Sequence, residues 1–152
     1  MDKFDFLKNR TRQLPGWTTK IEEVSNGVYN VLLKDKSDRK AETTDSDFEQ
    51  TILKAQEFAF SIEKQLSVSW NRFLFDLCVL ILDGLPIIKN YQDAHLGSWI
   101  VELHGKRILY DGRDHCLISQ LKKGNEWFDT CISTKEELTF EGCWHMVYYI
   151  AS

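Results

Sequence analysis

The sequence predicts an α+β fold: an α-β-β-β-α unit first, then a buried helix and a mainly antiparallel sheet. Three observations predict it. Asn26-Gly27 stands between two runs of strand-forming residues, the chemistry of a tight hairpin turn. Phe48, Ile52, Ala55, Ala59, Ile62 and Leu66 recur at spacings of three and four, which is one face of a helix. Trp99, Val101 and Leu103 alternate with other residues ahead of His104-Gly105, which is the pattern of a second hairpin. Apolar residues make up 43% of the 152-residue chain, with five Trp, nine Phe and five Tyr, enough to fill a core.

Each element has a local reason. Asp2 to Arg12 brings Phe4, Phe6 and Leu7 to one side of a short helix, which Leu14-Pro15-Gly16 ends. Trp17 to Val24 alternates as a strand, Val28 to Lys34 returns, and Arg39 to Thr44 is a third strand facing solvent. Asp45, Ser46 or Asp47 caps the helix from Phe48 to Leu66, and the acids of its first turn suit the helix dipole. Ser67 to Asp83 is read as a second helix, because Arg72, Asp76 and Asp83 then form one polar stripe and Arg72 can pair with Asp76. Gly84 and Pro86 end it, and Lys89 to Gly97 is expected to be a loop.

Beyond the second hairpin, Asp111-Gly112-Arg113-Asp114 is a tight turn. His115 to Lys122 is expected as a strand, with a short helix as the alternative, and Trp127 to Ile132 as another strand. Thr134 to Glu137 has the spacing of a capping box, so a helical turn is expected to start there. Cys143 to Ile150, CWHMVYYI, is rich in aromatic and β-branched residues and is expected to close the sheet as a strand, with a helix as the alternative. The division is thus 1–66 and 67–152. The two are expected to pack as one body, since the stretch from Phe73 to Leu82 is apolar nearly all round and needs cover on several sides.

Composition argues against several function classes. The net charge is −4, which argues against a dedicated nucleic-acid binder, since such proteins usually show a basic face. The most apolar stretch, Phe73 to Ile88, is shorter than a membrane span and holds Asp76, Asp83 and Pro86. The opening MDKFDFL has acids and no long apolar run, so no signal peptide is expected and the expected compartment is the cytoplasm. Thiols stay reduced there, and Cys78, Cys116, Cys131 and Cys143 are expected to be free.

No motif carries chemistry outright. Phosphate loops, hydrolase elbows and metalloprotease helices are missing, so no catalytic residue and no cofactor are assigned. The densest chemical run is Asp111, Arg113, Asp114, His115 and Cys116. A Cys/His nucleophile site is one use for it, but neighbours on a strand point to opposite faces. A turn flanked by a half-buried strand explains it more simply. Cys116, Cys131, Cys143 and His145 lack the short knuckle of a structural zinc site, so no metal is assigned.

The α-β-β-β-α order of the first half resembles a double-stranded-RNA-binding domain. That family grips phosphates with a basic cluster at the start of its last helix, where this chain has Asp45, Asp47 and Glu49. Residues 1–66 hold eleven Lys and Arg against twelve Asp and Glu, so RNA binding is kept only as an alternative.

Taken whole, the chain resembles the small acidic immunity proteins of bacterial polymorphic and contact-dependent toxin systems. The features are PGWTTKIEEVSNGVYNVLLKD followed by an amphipathic helix, many aromatics, acid clusters and no catalytic motif. The resemblance implies a non-enzymatic inhibitor that binds a basic toxin domain and blocks its active site. The candidate partner-binding residues are Asp111, Arg113, Asp114, Glu126, Trp127 and Asp129. A small enzyme using the Asp111–Cys116 run is the other alternative.

Overall fold

Among the described residues, two antiparallel meanders and three helices make up the fold. The computed structural model describes residues 14–66, 69–82, 89–93 and 97–151. The helix expected over Asp2–Arg12 lies outside the described residues, as do Asp83, Gly84 and Pro86. The first sheet joins β1 (Trp17–Ser25), β2 (Val28–Asp35) and β3 (Lys40–Asp45) in sequence order. The second joins β4 (Lys89–Asp93), β5 (Ser98–Leu103), β6 (Lys106–Asp111), β7 (Cys116–Lys123) and β8 (Glu126–Thr134), also in order. The helices are α1 (Phe48–Leu66), α2 (Trp70–Leu82) and α3 (Phe140–Ala151). The class is α+β with antiparallel sheets, as the sequence predicts.

Turn chemistry divides between the two hairpins. At Asn26-Gly27 the positive φ is confined to Gly27, so this is not a type I′ turn, and a register shift between Glu23 and Ser25 takes up the difference. At His104-Gly105 both residues have positive φ, 37° and 81°, which matches the twist of the flanking strands.

α1 starts where Asp47 caps it: Oδ1 accepts the Gln50 N–H at 3.1 Å. Ile52, Ala55, Ala59, Phe60 and Glu63 are buried beneath it, whereas Leu66, expected on the same face, is 65% exposed. α2 is a helix, and Arg72 holds Asp76 at 3.0 Å on its polar side.

Two expectations need correction. Lys89–Asp93 is a strand, because β5 offers it an edge to pair with. Cys143–Ile150 lies in a helix: Phe140, Cys143, Trp144, Val147, Ile150 and Ala151 are buried at helical spacing, and this burial overrides strand propensity. The cap of that helix is Thr139, whose Oγ1 accepts the Gly142 N–H at 3.0 Å. The helical turn expected at Thr134 does close, with Leu138 N–H donating to the Thr134 carbonyl at 3.0 Å, and it ends before the helix begins.

One cluster of buried side chains runs through both sheets and all three helices. α1 packs on β2 and β3, while α2 and α3 cover the inner face of β5, and α3 that of β6. Trp99 stacks on Tyr110 at 5.8 Å between ring centres and meets Phe75 edge-on.

Candidate partner-binding face

The second sheet has one covered face and, among the described residues, one bare one. Trp99, Val101, Leu103, Ile108, Tyr110 and Leu117 point inward and are buried. Strand alternation sends their neighbours outward, and among the described residues no helix lies over them. The register then aligns Ile100 with Leu109, Leu109 with Ile118, and Ile118 with Ile132. Four apolar side chains on four adjacent strands form one row across the open face. The first three are half-buried by their neighbours, and Ile132 on the edge strand is 54% exposed.

A polar row runs beside it. Glu102, Arg107, Gln120 and Asp129 are successive register partners. Arg107 Nε donates to Gln120 Oε1 at 2.5 Å, and Gln120 Nε2 donates to Asp129 Oδ1 at 2.7 Å. The Arg107 guanidinium also sits 4.2 Å from the ring centre of Trp127, with the Lys122 ammonium 5.9 Å from the same ring. Trp127 is therefore held in place by groups from β6 and β7.

The structure places the six candidate residues in two groups. Trp127 and Asp129 belong to the network just described. Asp111, Arg113 and Asp114 form the β6–β7 turn, where Asp111 Oδ1 accepts the N–H of Arg113 at 2.8 Å and of Asp114 at 3.3 Å. Asp111 stands opposite Cys116 and Trp127 opposite Lys122, about 20 Å apart at ~3.3 Å per residue. Glu126, opposite Lys123, falls on the other side of the sheet. The sequence reading missed Arg107, Gln120 and the apolar row. The available signal was an apolar residue at Ile100, Leu109 and Ile118, where one-sided burial would call for polar ones.

Electrostatics at the turn end are negative. Burial raises the Cys116 thiol above its ordinary value, and Asp111, Asp114 and Asp129 raise it further. That environment disfavours a thiolate. His115 does not pair with Cys116: its Nδ1 lies 3.4 Å from the Tyr110 hydroxyl, and its carbonyl accepts the Lys135 N–H at 2.8 Å. Burial also pushes Tyr110 up to about 12.

The zinc-type set is dispersed. Cys143 is buried in the core, His145 is exposed on α3, and Cys116 and Cys131 stand on opposite faces of the second sheet. Among the described residues, no group of three or more His, Cys, Asp or Glu side chains could hold a metal ion. Among them too, no helix is long and apolar enough to cross a membrane. Comparison with known proteins finds no matching family model, no matching curated protein and no matching solved structure.

Proposed function

We propose that this chain is a protein-binding inhibitor, an immunity protein that neutralises a bacterial toxin in the cytoplasm by covering its active site. The observation that carries the reading is the outer face of the second sheet, which no helix among the described residues covers. Its apolar row gives a dry contact strip, and Trp127 is already fixed beside it by Arg107. Trp and Arg are the residue types that dominate binding hot spots, and a side chain ordered before binding loses less entropy on contact. The carboxylates of Asp111, Asp114 and Asp129 around Cys116 suit a basic partner such as a toxin nuclease.

The test is co-expression with the toxin domain encoded beside its gene. The chain should restore growth and bind that domain in calorimetry. Trp127→Ala and Ile132→Asp should each weaken binding at least about 30-fold, the loss of a hot spot of roughly 2 kcal/mol. Full protection by both variants, or no toxin gene beside its own, would sink the proposal.

A further inference from the structure

Cys78 and Cys143 meet where α2 packs on α3. Both are fully buried, and their Sγ atoms stand 4.0 Å apart. A disulfide bond is about 2.05 Å long, so the sulfurs are in contact and roughly 2 Å from bonding distance. We propose that Cys78 and Cys143 are a modification site at which a small-molecule disulfide oxidises the thiols to one bond joining α2 to α3.

The first turn of α3 supplies a way in. Gly142 precedes Cys143 there, and glycine is a poor helix former. The hydrogen bond from its N–H to Thr139 Oγ1 holds the turn closed. When that turn opens, Cys143 reaches solvent, loses its proton to water and attacks a sulfur of the oxidant RSSR. A mixed disulfide Cys143–S–S–R forms and RS⁻ leaves. Cys78 then gives its proton to RS⁻ and attacks the Cys143 sulfur, expelling the second RS⁻, which is protonated by solvent. Two protein thiols are oxidised and one RSSR is reduced to two RSH. In the closed state burial holds the Cys78 thiol well above its ordinary value, and the contact with Cys143 adds to this. The pair is therefore slow to react until the turn opens. The bond would tie positions 65 residues apart and remove much of the freedom of the unfolded chain.

The experiment uses the full chain carrying Cys116→Ser and Cys131→Ser, so that only the pair remains. The reduced protein is incubated with oxidised glutathione, quenched in acid and weighed by mass spectrometry. The expected product has lost two hydrogen atoms, yields a Cys78–Cys143 linked peptide, and melts about 5–10 °C higher until dithiothreitol is added. Adding Cys78→Ala should stop the reaction at a glutathione adduct on Cys143 with no rise in melting temperature. The proposal is overturned if the native protein keeps both thiols free while the urea-unfolded chain is oxidised. It is equally overturned if an adduct forms on the parent protein and never closes.

Discussion

The indole N–H of Trp17 donates to Glu63 Oε1 at 2.9 Å, joining the first residue of β1 to the last full turn of α1 across 46 residues. Both groups are buried, and an Arg39 guanidinium nitrogen stands 3.7 Å from the same carboxylate oxygen. A buried carboxylate stripped of a donor keeps its desolvation penalty without the compensating bond. Trp17→Phe, which keeps the ring and removes the donor, should destabilise the protein by about 1–3 kcal/mol in urea titration. A loss below about 0.3 kcal/mol would mean that water replaces the indole without penalty.

Asp35 should give the protein a pH dependence on the acid side. Burial alone would raise its carboxyl, but the Arg39 N–H, the Arg39 guanidinium and the Ser37 N–H outweigh it and hold the pKa below 3.8. The folded state therefore binds the proton less readily than the unfolded one. The stabilisation is present above the unfolded value near 3.8 and is lost as pH falls through the lower folded value. Asp35→Asn should lower stability at pH 7 and flatten the decline below pH about 4 in thermal melts. Parallel curves for the two proteins down to pH about 2 would contradict this.

Thiol reactivity should rank the cysteines. Cys131 is exposed on the edge strand, Cys116 is half-buried beside Asp111 and Asp114, and Cys78 is in the core. Alkylation with iodoacetamide near neutral pH, followed by peptide mass spectrometry, should label Cys131 first, Cys116 at least about tenfold more slowly, and Cys78 only on unfolding. Asp111→Asn should speed Cys116 by relieving the second of the effects that raise its thiol, burial being the first. If Cys116 labels fastest, its surroundings activate it and a nucleophilic role returns.

The two threonines ahead of α3 should behave differently on substitution. Thr139 Oγ1 bonds an orphan N–H of the helix, so Thr139→Ala should lower stability by about 1 kcal/mol in urea titration. The Thr134 side chain caps no helix, and the Glu137 contact is to its backbone N–H at 3.5 Å. Thr134→Ala should therefore change stability by less than about 0.5 kcal/mol. The reverse order would place the helix start at Thr134.

What was legible in the sequence followed from local chemistry. Asp47 can cap a helix and Asn26-Gly27 can turn a chain with little help from distant residues. Arg72 and Asp76 found each other at helical spacing for the same reason. Cys143–Ile150 misled because its aromatic and β-branched residues favour strands. Its helical period, Cys143, Trp144, Val147 and Ile150, is carried on by Phe140 and Ala151 outside it. β4 became a strand through β5, a partner that its own five residues do not announce. The candidate face was half visible. Trp127 and Asp129 stood out as an aromatic and an acid near a turn, but Arg107 and Gln120 reach them only through pairing between strands. Register across a sheet is a long-range property, and one strand's sequence does not fix it.

The sequential order of both sheets bears on how the chain folds. Among the described residues, every ladder joins consecutive antiparallel strands, so each pairing closes over a short connection. Such pairings lose little entropy on closure and can zip up hairpin by hairpin, before distant parts of the chain meet. α3 is different, since it must find α1, α2, β5 and β6, all far upstream. Its docking is the step that converts a string of local hairpins into a shared interior. A chain arrested before Phe140 during synthesis would hold its meanders ready while leaving the inner face of β6 open to chaperones.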